Sequence, residues 1–265
     1  MLLEKRDDWV AEVIRERQPS GISNDEWKVR TELAACYRLF VEYGWTDLVF
    51  THCSARVPGH PDQYLINPYG LMFEEITASS LIKVDFSGNV IWGDYPVNSA
   101  GHAIHSAVLQ ARENVNIVLH SHTRAGIAVS AMQCGLLPIS QHACEVLGDV
   151  AYHEYDLAIA GSEECHKLGQ DLGDRHCLML NNHGLLSCGR DVPEAFLLMY
   201  NVEIACKVQV DALAGGQPLH YIKKSAADLL SESGRIKHEK PNHQAQLIWP
   251  ALIRRLDTKD ASYRT

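Results

Sequence analysis

The chain has 265 residues, 46% hydrophobic and 22% charged, ordinary globular material able to bury a core in one large domain or two small ones. Its net charge of −9 argues against nucleic acid or an anionic membrane as the main partner. No apolar run reaches membrane-spanning length, and the start Met1-Leu2-Leu3-Glu4-Lys5-Arg6 lacks the apolar stretch of a secretory signal, so a cytoplasmic protein is expected.

Helical and strand signals then alternate along the chain. Ser23-Asn24-Asp25-Glu26 is a capping-box start, followed by Leu33, Cys36, Leu39, Phe40 and Tyr43 at helical spacing and by Gly44 as a stop. Leu48 to Val57 reads as a strand and Tyr64 to Asn67 as another. Lys83-Val84-Asp85 and Val90-Ile91-Trp92 flank Ser87-Gly88-Asn89, a hairpin signal. Ser99 to Arg112 is helical, with Ala103, Ile104, Ala107 and Val108 on its apolar face, where His105 reads as structural. Val115 to His120 is a β-branched strand, and a small-residue helix from Thr123 to Cys134 ends at Gly135.

Leu137 to Ser140 is expected to be a short strand, Ser162 to Leu172 a polar helix, and Cys177 to Leu180 a buried strand returning through Leu185 to Cys188. Asp191-Val192-Pro193-Glu194 caps a long helix to Ala214, stopped by Gly215 and Gly216. The pattern weakens beyond Pro218. A helical extension over 1–22, one domain over 23–216 and a partly ordered C-terminal arm over 217–265 are expected, with antiparallel and parallel pairings in one helix-layered sheet. The eight cysteines form no C-x-x-C pair and fall mostly in apolar runs, as small buried residues do.

His120-Ser121-His122 closes the Val115 strand. Side chains two apart on a strand share a face, so both imidazoles can reach one ion. The Cys177 strand delivers His183, in Asn181-Asn182-His183-Gly184, to the same end. Three neutral imidazoles with a fourth position open suit a catalytic divalent metal. With 14 histidines a chance pair is the ordinary alternative, but both motifs end apolar strands, where α/β proteins place their sites.

Gly101-His102-Ala103-Ile104-His105-Ser106-Ala107, Val118-Leu119-His120-Ser121-His122-Thr123 and Asn182-His183-Gly184-Leu185 together resemble the class II aldolase/adducin family, in order, from residue 25 to 216. The resemblance implies a single three-layer α/β/α domain around a mixed, largely antiparallel central sheet. It also implies one divalent ion, zinc first, with manganese or ferrous iron as alternatives, on His120, His122 and His183. Members include sugar-phosphate aldolases, epimerases and decarboxylases, and adducin heads that are not enzymes.

The departures from the family pattern bear on the reaction. The aldolases carry their acid/base glutamate in a Ser-Ser-Glu stretch, and its place here is Gly101, after Ser99 and Ala100. Their Gly-Asn phosphate loop is matched by Thr51-His52, which restricts backbone access to an anion. A phosphorylated ketose is therefore not the expected substrate. Retro-aldol cleavage needs a base for the substrate hydroxyl, whereas decarboxylation needs only an electron sink, which a metal supplies. The expected function is a metal-dependent lyase, a decarboxylase or an aldolase, acting on a non-phosphorylated carbonyl or hydroxy carboxylic acid. His142, His52 and Glu145 are the catalytic candidates; Arg124, Asn67 and Ser99 are the substrate-binding ones. A non-catalytic adducin-like module and a mononuclear iron oxygenase are the alternatives.

The long helix carries Phe196, Met199, Tyr200, Ile204 and Val208 on one stripe, with Leu197, Leu198 and Ala205 beside it. Apolar character on more than one face implies a second partner, so a homo-tetramer is expected. In that assembly the C-terminal arm would reach a neighbour with His238, His243 or Trp249.

Overall fold

The computed structural model describes residues 18–155, 163–239 and 242–265. Helix α1 (Asn24–Tyr43) begins where Ser23 Oγ accepts from the Glu26 N–H at 3.1 Å and ends at Gly44, whose φ of 68° suits glycine. Strand β1 (His52–Val57) follows and is shorter than expected. Leu48 sits at φ 48° and is 61% exposed, and the Phe50 N–H turns back to the Asp47 carbonyl at 2.9 Å. Residues 48–51 therefore form a loop, although Leu48, Val49 and Phe50 are apolar.

Strands β2 (His60–Ile66), β3 (Ile82–Asp85) and β4 (Val90–Trp92) form an antiparallel meander with β1. Asn98 caps helix α2 (Ser99–Ala111), and strand β5 (Ile117–Ser121) leads through the Thr123 cap into helix α3 (Arg124–Ser130). Residues 137–140 are not a strand. The Leu137 N–H donates to Gln209 Oε1 at 2.8 Å, so a side chain stands where a neighbouring strand would be. Helix α4 (Gln141–Leu147) and strand β6 (Val150–His153), which the sequence reading did not anticipate, precede helix α5 (Glu163–Leu172). Strands β7 (Cys177–Leu180) and β8 (Gly184–Gly189) then feed helix α6 (Val192–Ala214), capped by Asp191.

The eight strands form one sheet in the order β4-β3-β2-β1-β5-β8-β7-β6. Every neighbouring pair is antiparallel except β6 and β7. The period of two sorts the strand residues into two cores. Cys53, Leu65, Leu119, Met179 and Leu185 pack with Leu39, Phe40 and Phe196 on one face. Val118, Leu178 and Leu186 pack with Ala103, Ile104 and Val108 of α2 and Leu168 of α5 on the other. This is the three-layer α/β/α arrangement around a mixed, largely antiparallel sheet.

Two expectations change here. Within the expected partly ordered arm over 217–265, helix α7 (Lys224–Glu239) packs on α4 and helix α8 (His243–Lys259) on α6. Trp249 is buried against Phe196 at 5.8 Å between ring centroids, so it is held within its own chain, while His243 is exposed. The helical pattern of α8 is hard to read because Pro250 interrupts it and its buried positions, Ala245, Trp249, Leu252 and Leu256, are thinly spaced. The second face of α6 is likewise covered by α3, α4 and α8 of the same chain. Of the expected N-terminal extension, residues 1–17 lie outside the described residues, as does the side chain of His238; Ile22 packs on Trp27.

Candidate metal centre

Antiparallel pairing brings the start of β1, the end of β5 and the β7–β8 turn to one end of the sheet, with His52 directly opposite His120. Along β5 the side chains alternate. His120 faces the α2 layer, where its ring stacks on His52 at 5.2 Å, and Ser121 faces α6. His122 stands one residue past the strand, and its ring returns toward His120. In the β7–β8 turn Asn182 adopts φ 60°, a left-handed conformation that asparagine tolerates. Gly184 then passes so close to β5 that a Cβ would lie 2.3 Å from the Ser121 carbonyl oxygen. These two requirements account for Asn-His-Gly in physical terms.

The three imidazoles meet at their Nε2 atoms, 2.8 Å between His120 and His122 and 2.9 Å between His122 and His183. Their potential ligand atoms all lie within 4.8 Å of one another. Two of the opposite ring nitrogens face acceptors. His120 Nδ1 donates to the Leu185 carbonyl at 2.9 Å, and His122 Nδ1 lies 2.9 Å from the Asp47 carboxylate. An imidazole that donates from Nδ1 keeps a lone pair on Nε2 unless it carries a full charge. Burial, reinforced by the neighbouring rings, holds His120 well below the usual imidazole range, and burial brings His183 down to about 4. Three converging Nε2 atoms fit a bound cation, and carbonyl and carboxylate partners behind such ligands are the usual orienting groups.

The space beside the cluster is shaped by an exchange. A Cβ on Gly101 would lie 2.5 Å from His52 Cδ2, so the His52 ring fills the volume that a side chain at 101 would need. His52 is buried, its Nδ1 is 2.9 Å from His105 Nε2, and burial keeps it well below its ordinary range. Thr51 is buried, and among the described residues its hydroxyl has no hydrogen-bond partner. The remaining candidates are scattered. Asn67 is buried and accepts from the Tyr37 hydroxyl at 2.9 Å, which ties the end of β2 to α1. Ser99 and Arg124 are exposed at the first residues of α2 and α3. His142 faces Tyr200 at 6.3 Å, and Glu145 accepts from Gln141 at 3.0 Å within α4. No described contact joins either of them to the three histidines.

Two participants were not picked out from the sequence. Asp47 was hidden by the apolar residues after it, although a polar residue just beyond a glycine helix stop marks a turn. Glu203 is fully buried on α6 and accepts from Ser121 Oγ at 2.6 Å and Thr123 Oγ1 at 2.8 Å, so one carboxylate grips both neighbours of His122. A single acid between apolar helix positions was its visible signal. Burial raises its pKa, and the two hydroxyl donors oppose that rise.

Known proteins resemble this chain in sequence and fold. The family described as "Class II Aldolase and Adducin N-terminal domain" matches residues 31–210. A Pseudomonas aeruginosa protein, whose name carries the aldolase class 2 family but no reaction, is 48% identical over 92% of this chain and 94% of its own. Mouse alpha-adducin is 45% identical over 70% of this chain, which corresponds to 26% of that protein. A solved aldolase II superfamily protein from Pseudomonas syringae superimposes with a TM-score of 0.86 at 42% identity, covering 96% of this chain and all of the other. On its sequence, its sheet and its histidine cluster, the chain belongs to the class II aldolase/adducin family.

Proposed function

We propose that the protein is a divalent-metal-dependent carbon–carbon lyase that acts on a non-phosphorylated carbonyl or hydroxy carboxylic acid, with decarboxylation as the favoured reaction and aldol cleavage second. The observation that carries the reading is the convergence of three Nε2 atoms, with the His120 and His122 rings oriented from behind by Leu185 and Asp47. His120, His122 and His183 would hold the ion, zinc before manganese or iron. Bound there, it supplies a Lewis acid for a substrate oxygen. The chain's own residues do the rest. His52 occupies the wall where the aldolases place a carboxylate base, so removal of a hydroxyl proton is not provided for at that wall. Loss of carbon dioxide needs no such base: the carbon–carbon bond breaks, its electron pair stays on the retained carbon, and solvent supplies the proton. Arg124, exposed two residues past His122, offers positive charge to an incoming carboxylate.

Carbon dioxide release from a panel of 2-oxo and hydroxy carboxylic acids, with added zinc or manganese, tests this. Activity is expected in the native chain and is lost in His183→Ala, which no longer retains metal. Turnover of a ketose 1-phosphate that His120→Ala abolishes would instead establish the sugar-phosphate aldolase. The likeness to alpha-adducin over this same domain favours a second reading, a binding module without chemistry. Metal-free protein after gentle purification, inert on the whole panel, would support it.

Self-association into a homo-tetramer belongs to the same proposal. Its support is the apolar surface left on the last two helices, with Leu229, Leu247 and Ile248 exposed by 72%, 62% and 41%. Sedimentation at micromolar concentration is expected to show the tetramer; monomer alone would defeat it.

A further inference from the structure

Behind the histidine cluster runs a buried chain of three side chains. His52 Nδ1 is 2.9 Å from His105 Nε2, and His105 Nδ1 is 2.5 Å from Ser54 Oγ. Ser54 and His105 are fully buried, while His52 is 3% exposed. The His52 and His105 rings meet edge to face at 4.8 Å between centroids, and His52 also stacks on His120. The chain therefore runs from the interior between β1 and α2 to the edge of the cluster.

The buried end decides which way the protons point. Among the described residues, His105 Nδ1 is the hydrogen-bond partner that Ser54 Oγ has. With a proton on His105 Nδ1, the Ser54 O–H would lack an acceptor where water does not reach, an arrangement that buried polar groups avoid. The hydroxyl therefore donates to Nδ1, which makes His105 the Nε2–H tautomer. That N–H donates to His52 Nδ1, and His52 in turn carries its own proton on Nε2. This last N–H lies over Gly101, where a Cβ would be 2.7 Å from Nε2. It is not poised as a fourth ligand, because among the described residues the nitrogens grouped closely enough to share an ion are those of His120, His122 and His183.

We propose that Ser54 and His105 are positioning residues that hold His52 as an Nε2–H donor on the wall of the histidine cluster, where it meets an oxygen of a carboxylate-bearing substrate. A donor beside Gly101 selects for a substrate oxygen that arrives without a proton, such as a carboxylate or an enolate. The substrate half of the inference rests on the lyase reading; the tautomer does not.

Long-range proton–nitrogen NMR of the metal-free protein with labelled histidine reads the tautomers directly. His52 and His105 are both expected as Nε2–H in the native chain, and Ser54→Ala is expected to lose the single tautomer at both rings. A native His52 protonated on Nδ1 overturns the proposal, and that spectrum requires no variant to fold. Calorimetry of the zinc-loaded protein with pyruvate as probe tests the second half. Ser54→Ala is expected to bind pyruvate roughly tenfold more weakly at unchanged zinc affinity, with Ser54→Thr restoring it. Equal loss of zinc and pyruvate would assign the chain of side chains to the cluster itself and overturn the substrate role. A native protein that takes up no zinc would defeat the lyase reading and leave the tautomer result standing.

Discussion

Gly101 and His52 occupy one volume between them, and the chemistry of the site follows from which of them carries the side chain. The His52 ring is stacked on His120 and linked to His105, so it cannot swing aside cheaply. Gly101→Ala is accordingly expected to destabilise the protein by about 1–3 kcal/mol, as overpacking of a filled core does. The same change in a His52→Ala background should cost much less, because the obstructing ring is gone. Urea denaturation of the four species of this double-mutant cycle measures the coupling. Additive effects would show that the two residues do not compete. Gly101 was readable as a missing carboxylate through the family resemblance; that His52 fills its volume in space was not, because the two are far apart in sequence.

At the scale of elements, the cluster depends on how β5 leaves the sheet. Ser121 and Thr123 flank His122, and both hydroxyls end on the Glu203 carboxylate of α6. Thr123 Oγ1 also accepts from the Gly126 N–H at 3.1 Å, so it starts α3 as well. Glu203→Leu would leave two buried hydroxyls without their acceptor, and the expected loss is about 2–3 kcal/mol of stability. Glu203→Gln keeps an acceptor oxygen and should lose less than half as much. Equilibrium unfolding separates the two variants, and a Leu variant as stable as the native chain would refute the grip. Helix α6 itself was legible from its Asp191 cap and its apolar stripes. Its excess apolar surface was assigned to another subunit because no local pattern says which neighbour covers a face, and α3, α4 and α8 of the same chain cover it.

For the molecule as a whole, a site assembled from β5, the β7–β8 turn and the loop carrying Asp47 links metal binding to global stability. Ligation of the folded state alone adds about 2.7 kcal/mol at a metal concentration one hundred times the dissociation constant. For a domain of this size that corresponds to a rise of roughly 5–10 °C in melting temperature. Zinc is expected to produce this shift in the native protein and not in His183→Ala, and a chelator should reverse it. Calorimetric scans at fixed protein concentration make the comparison, and an equal shift in the variant would place the ion elsewhere.

The sequence by itself determined the features that depend on neighbours along the chain. These include the capped starts of α1 and α6, the hairpin at Ser87 to Asn89, the strand period of β5, β7 and β8, and the histidine pair two residues apart. Each is set by backbone chemistry or by a local repeat, so a few residues suffice to read it. Three-dimensional packing decided what depends on distant partners. Residues 48–51 look like strand yet form the loop that carries Asp47 to His122. Residues 137–140 find the Gln209 side chain in place of a strand, and the Pro250 helix folds back onto α6. The tertiary structure also brought His52, His105 and Ser54 into one chain. Hydrogen bonds and excluded volume act over a few ångströms in space whatever the separation in sequence, and only the assembled sheet reveals which residues come within that reach.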